Sequence, residues 1–142
     1  MSWNNPFPSK EISEGITEAT VKYAQAFGHY LGTNTEEIGR NGRPFVTESK
    51  LTTSQLRRFF GEVKRQQMQG FSKSDFILLK PKLAYAVGRA DKNSKIYDFY
   101  KVLSIAMDQV SDERTFTNFI KVFEAIVAYH KATEAGQNLT NC

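Results

Sequence analysis

The chain has 142 residues, 40 % of them hydrophobic, with eleven Phe, six Tyr and a formal charge of +4. That length suits one domain able to bury a core, and the composition is too apolar and aromatic for a disordered tail. A single cysteine, Cys142, excludes an intrachain disulfide and a four-cysteine zinc site, and no apolar run approaches the length of a membrane helix.

The opening segment MSWNNPFPSK lacks the apolar core of a secretion signal, so a cytoplasmic protein is expected. In that setting the glycosylation sequon Asn138-Leu139-Thr140 is a chance match. Residues 1–12 are expected to be a flexible lead into one helical domain. A first helix is predicted over residues 13–31, with Ile16, Ala19, Tyr23, Ala26, Phe27 and Tyr30 on one stripe. Residues 28–44 carry four Gly and one Pro, and residues 32–49 are therefore read as a long Gly-rich loop.

The second helix starts at Thr52, whose hydroxyl can cap it while Gln55 reaches back at capping-box spacing. Its inward stripe is Leu56, Phe59, Phe60 and Val63. A third helix begins near Ser72, with Asp75 at the matching place, and runs to about residue 90. Pro81 inside it lacks an amide hydrogen and blocks the preceding turn, so a kink or short break is predicted there. The fourth helix carries Ile96, Phe99, Tyr100, Leu103, Ala106, Met107 and Val110. The fifth carries Phe116, Phe119, Ile120, Phe123, Ile126, Val127 and His130. The fold class expected is all-α, a compact bundle of about five helices.

Little in the chain points to catalysis, which draws on His, Cys or paired carboxylates. There are only two histidines. His29 falls at the end of the first helix, where a donor meets free carbonyls, and His130 continues an apolar stripe as an edge-of-core residue. Glu36-Glu37 lie in the Gly-rich stretch, and Asp112-Glu113 open a helix whose dipole favours negative charge. GRNG at 39–42 matches no phosphate cradle. No metal or cofactor is expected.

Charge is the stronger signal. Residues 50–95 hold eleven Lys/Arg and three Asp/Glu, a net of +8, while the rest of the chain carries −4. A basic middle in an acidic frame suits a surface facing a polyanion, of which RNA or DNA is the commonest. On the second helix, Arg57 and Lys64, and likewise Arg58 and Arg65, stand seven residues apart on the wet side. Each pair stacks in a row spanning about 10 Å along the axis, which allows the two rows to follow a phosphate backbone. Lys50 precedes the cap. On the third helix Lys82, Tyr85 and Arg89 share a face that Lys92 extends, and Lys80 adjoins Pro81. An aromatic between two cations suits base or ribose stacking beside phosphate contacts, and equally suits a ring packed into the core. Nothing here forms a base-reading code, so contacts by shape and backbone are expected.

Three blocks carry a resemblance. They are Lys50-Leu-Thr-Thr-Ser-Gln-Leu-Arg57; Leu79-Lys-Pro-Lys-Leu-Ala-Tyr85 with Arg89; and Phe119 through Phe123-Glu-Ala-Ile-Val-Ala-Tyr-His-Lys131. In this order and spacing the chain resembles the small subunit of the type III-A CRISPR–Cas effector, the Csm interference complex. The resemblance implies a compact helical protein that stacks in several copies along a filament of backbone subunits. Such subunits line the groove where guide RNA pairs with target RNA, while target cleavage belongs to the backbone subunits and signalling and DNase activity to the large subunit. It implies RNA contacts by Lys50, Arg57, Lys80 and Arg89; Arg58, Lys64, Arg65 and Lys82 rest on the helical-face argument. The block from Glu124 to Lys131 serves packing or subunit contact on this view, or Glu124 simply pairs with Lys121 one turn back. Two other readings remain open at the level of sequence. One is a free-standing helical DNA-binding regulator with Gln55, Arg57 and Arg58 at the first turns of a recognition helix. The other is a protein–protein scaffold that docks its basic face on an acidic partner.

Overall fold

The computed structural model describes residues 3–8 and 10–136, so Cys142 and the sequon lie outside the described residues. In chain order the elements are α1 (Glu11–Glu14), α2 (Glu18–Leu31), β1 (Thr35–Ile38), β2 (Pro44–Glu48), α3 (Thr53–Gln69), α4 (Lys73–Ile77), α5 (Leu79–Arg89), α6 (Ile96–Asp108) and α7 (Glu113–Glu134).

The fold is mostly helical, with one correction to the all-α expectation: residues 35–48 form an antiparallel hairpin rather than a structureless loop. Glu36 pairs with Val46, Glu37 with Phe45 and Ile38 with Pro44. The turn is closed by the Gly39 amide donating to the Arg43 carbonyl at 2.9 Å, with Gly42 at φ 78°, a conformation that suits glycine. Short strands flanked by Gly gave too weak an alternation to be read from sequence. Past the hairpin, Ser49 bridges to the start of α6 through Asn93 and Lys95, and the Leu51 amide donates to the Leu31 carbonyl at 2.8 Å. These bonds pin the segment before Thr52 and so aim α3.

Local signals account for the helix ends. Thr52 accepts from the Gln55 amide at 3.1 Å, and the Gln55 side chain accepts in return from the Thr52 amide at 2.9 Å. Thr17 and Asp112 cap α2 and α7 in the same reciprocal way, each with a Thr at the third position. The predicted first helix is split at Gly15, which has φ 127°. The predicted third helix is broken at Leu78, three residues before Pro81. With no amide hydrogen, Pro81 cannot bond the Ile77 carbonyl, and α5 restarts with the proline in its first turn.

The core is one cluster built around α7 and joined by every other helix. Phe123, fully buried, is ringed by Phe59, Phe60, Phe99 and Phe119 at centroid distances of 5.0 to 6.0 Å. The predicted stripes of α6 and α7 face this core, with Tyr100 and Val127 at its edge. On α2 the stripe is rotated: Ile16 precedes the helix, Ala19 and Ala26 are exposed, and Thr20, Ala24, Gly28 and Leu31 join Tyr23 and Phe27 inside. Gly28 is a packing residue, not a loop residue. A Cβ there would stand 2.8 Å from both the Ile126 carbonyl oxygen and Tyr129 Cβ, so its absence lets α2 lie against α7. Among the described residues of the lead expected to be flexible, Trp3 packs at a tilt against Phe27 and Tyr30, and Phe7 and Ile12 are buried.

Candidate nucleic-acid interface

On α3, Leu56, Phe59, Val63 and Gln66 face inward, which divides the cations of the opposite side into two flanks. Lys64 lies on the flank towards α7, where its ammonium bonds Glu124 at 2.9 Å and rests 5.9 Å from the Phe60 ring. Glu124 thus pairs across helices rather than with Lys121. Arg58 and Arg65 lie on the flank towards α5. There Glu62 Oε2 accepts from Arg65 at 2.8 Å and from Lys82 of α5 at 3.2 Å. Sharing one oxygen puts the two cations within about 6 Å of each other, on different helices. Their hydrogen bonds, Arg65's first and Lys82's second, hold the Glu62 carboxyl below the usual carboxylate range.

Between α3 and α5 runs a cleft of about 220 Å³ with Phe59, Leu83 and Phe99 in its floor and Arg58, Glu62 and Lys82 at its rim. One turn further along α5, Tyr85 is 68 % exposed, which decides its reading: the ring faces solvent, not the core. The Arg89 guanidinium lies 5.7 Å from the centre of that ring. Arg58, Arg65, Lys82, Tyr85 and Arg89 therefore form one α3–α5 surface.

The other predicted cations are tied elsewhere. Lys50 lies 3.8 Å from Glu134 at the end of α7, and Lys80 bonds Asp108 of α6. Among the described residues no carboxylate pairs with Arg57, Arg58, Arg89 or Lys92; Arg57 is exposed on the outer side of α3. Two cations of the basic stretch bond carbonyls of the chain itself, the exposed Lys73 and the buried Lys95. Lys73 donates to the Val110 carbonyl at 2.5 Å. Lys95 is 1 % exposed, its ammonium donating to the carbonyls of Tyr30 at 2.9 Å and Thr33 at 2.7 Å and lying 3.8 Å over the Tyr30 ring. Burial pushes it down to about 8, against the pull of Glu48 and Asp98. A charge count cannot find such a residue, because a lysine that closes a helix end reads the same as one that faces a ligand.

Both histidines are engaged structurally. His130, buried on α7, donates from Nε2 to the Leu51 carbonyl at 2.6 Å, with Glu134 at 3.4 Å. His29 places Nδ1 3.3 Å from Thr133 Oγ1 rather than on the last carbonyls of α2, two of which accept from the Gly32 amide. Among the described residues there is no cluster of three potential metal ligands and no helix long and apolar enough to cross a membrane.

The sequence model of the Csm2 Type III-A family matches residues 16–136. The chain belongs to that family. It is thereby a small subunit of the type III-A CRISPR effector, the Csm complex, of a kind that is structural within it. No curated protein and no solved structure matches it. The Csm2 match takes in α2 to α7 and so includes the whole α3–α5 surface.

Proposed function

We propose that this Csm2-family chain is a non-catalytic RNA-binding subunit that holds the guide RNA–target RNA duplex through sequence-independent contacts. The observation that carries the reading is the convergence of Arg65 and Lys82 on Glu62, with Arg58 lining the same cleft and Tyr85 and Arg89 continuing the surface along α5. Guanidinium and ammonium groups bind phosphate whatever the base, and an exposed Tyr beside an Arg suits a ribose or an unstacked base. The ion pairs of this surface are solvent-exposed and individually worth about 1 kcal/mol or less, so a phosphate can replace Glu62 as their partner. Of the eight predicted residues, Arg58, Arg65, Lys82 and Arg89 carry the contact, and Arg57, exposed on the outer side of α3, stands outside this surface. Lys50, Lys64 and Lys80 reach towards Glu134 and Glu124 of α7 and Asp108 of α6, and so lie away from this surface. The subunit works in the cytoplasm in antiviral defence, with further copies of itself and the backbone and large subunits as its partners.

A helix-turn-helix regulator is disfavoured by what precedes α3: a β-hairpin and a pinned extended segment stand where a short turn and a supporting helix are needed. The test is a fluorescence-anisotropy titration of the chain against single-stranded RNA, RNA duplex and DNA duplex at several salt concentrations. Sequence-blind RNA binding with a log–log salt slope of roughly −3 to −6, meaning about four to eight phosphate contacts, supports the proposal. Selectivity for one DNA sequence refutes it.

A further inference from the structure

Residues 36–46 stand off the helical body: apart from Gly39, every one of them is exposed. Three are large and apolar, with Ile38 70 %, Phe45 49 % and Val46 42 % exposed. A lone two-stranded hairpin is marginal in water, and neither face of this one is covered by the described residues. Such an arm is a ready template for another strand.

Its two edges differ. Just past β2, Ser49 already pairs with residues 93–95, and Pro44 within β2 has no amide hydrogen to offer. The β1 edge has neither obstacle, and among the described residues no strand meets it. The Gly39 amide donates inward, to the Arg43 carbonyl. Backbone groups alternate sides along a strand, so Glu37 also turns inward, while Glu36 and Ile38 aim N–H and C=O outward. Pro44 opposite Ile38 agrees with this, because a proline fits where no ladder bond is made.

Charge chooses the occupant. From β1 into the turn the chain reads Glu36-Glu37-Ile38-Gly39-Arg40, which complements itself when run antiparallel about Ile38. In that register Ile38 meets Ile38, Glu37 meets Gly39, and Glu36 meets Arg40 on both sides. Registers centred on Glu36 or Glu37 set like carboxylates directly opposite, which is unfavourable. Among the described residues neither Glu36 nor Arg40 is in an ion pair, so both are free to serve this contact. The same register aligns Pro44, Ile38, Ile38 and Pro44 as one apolar row across four strands.

We infer that β1 pairs edge to edge with β1 of a second copy of this chain, antiparallel and two-fold about Ile38. The contact is isologous and closes at two copies, and its small size makes the association weak. Of the proposed function it takes up only the further copies of the chain. No hairpin residue lies on the α3–α5 surface, so it stands or falls independently of RNA binding.

The test is sedimentation equilibrium of the purified full chain up to about 1 mM, the range suited to so small an interface. Ile38→Pro removes the outward amide hydrogen and leaves the bonds within the hairpin in place. Glu36→Arg and Arg40→Glu each set like charges opposite, and the double variant restores the pairing with its signs exchanged. A dimer is expected that Ile38→Pro weakens about tenfold or more and that each single swap weakens about threefold to tenfold. The double swap is expected to return to near the wild-type level, and exchange of the Ile38 amide hydrogen to slow as the wild-type concentration rises. Overturning results are a monomer throughout, open-ended oligomers, association untouched by a folded Ile38→Pro variant, or a double swap no better than the singles. RNA titration of Ile38→Pro at nanomolar chain, where copies stay apart, keeps the two proposals separate. Binding is expected at the wild-type level; a loss means that the arm meets RNA, and overturns the pairing.

Discussion

Replacing Glu62 with Gln removes the one carboxylate that sits among the α3–α5 cations. Two bonds are altered, to Arg65 at 2.8 Å and to Lys82 at 3.2 Å, and the side chain keeps its size. Both pairs are exposed, so the stability lost is about 1 kcal/mol or less. For a phosphate held by these cations, Glu62 is a like charge roughly 7 Å away, a repulsion of about 0.6 kcal/mol in bulk water and about 2 kcal/mol at the lower effective dielectric of a protein surface. Removing it is expected to tighten RNA binding roughly threefold to thirtyfold and to steepen the salt slope by up to about one phosphate contact. Fluorescence anisotropy with a labelled RNA over a range of salt reads both numbers, and circular dichroism checks the fold. Unchanged or weaker binding by a folded Glu62→Gln variant refutes the reasoning, because it means that no phosphate approaches this carboxylate.

Phe123→Ala leaves a hole among four aromatic rings, and urea unfolding is expected to show a loss of about 3–5 kcal/mol with a folded remnant at most. Gly28→Ala forces its methyl against the Ile126 carbonyl and Tyr129 and is expected to cost about 1–3 kcal/mol, whereas Gly61→Ala, in open space on α3, is expected to gain up to about 1 kcal/mol in the same assay. Lys95 provides a pH test. Its folded-state value of about 8 lies below the 10.5 of the free side chain, so above pH 8 the unfolded chain holds the proton that the folded chain has released. Its unfavourable contribution is complete below pH 8 and fades as pH rises towards 10.5. The stability of the wild type relative to Lys95→Met is therefore expected to increase between pH 7.5 and about 9.5 in chemical denaturation; a flat or falling difference contradicts the buried, desolvated ammonium.

Helix positions were legible because periodic apolar residues and caps act locally: Thr52 with Gln55 fixed the start of α3, and Pro81 fixed the break before α5. Phase was less legible where the partner is another helix. In α2, Gly28 and Thr20 face inward because α7 packs closely there, a tertiary fact that gave no apolar signature. The hairpin escaped notice because four- and five-residue strands with exposed Ile38, Phe45 and Val46 present no buried face to alternate against. For the candidate site, sequence put Arg58, Lys82 and Arg89 on helices with their side chains towards solvent, and left open whether Tyr85 packs in the core. It could not show that Glu62 gathers Arg65 and Lys82, that Lys64 turns to Glu124, or that Lys95 is buried under Tyr30. Each depends on which helix lies alongside, and a count of charges along the chain is blind to that.

The most direct measurement compares two triple variants with the same loss of charge in the assembled effector: Arg58→Ala/Lys82→Ala/Arg89→Ala on the α3–α5 surface, and Lys50→Ala/Lys64→Ala/Lys80→Ala away from it. Retention of target RNA is measured at physiological salt, with circular dichroism of each isolated variant to confirm the fold. The first triple is expected to lose target RNA at least tenfold more readily than the second, which stays close to wild type. Equal losses mean that net charge alone matters, and full retention by the first triple means that the α3–α5 surface does not hold the RNA; either contradicts the proposed interface.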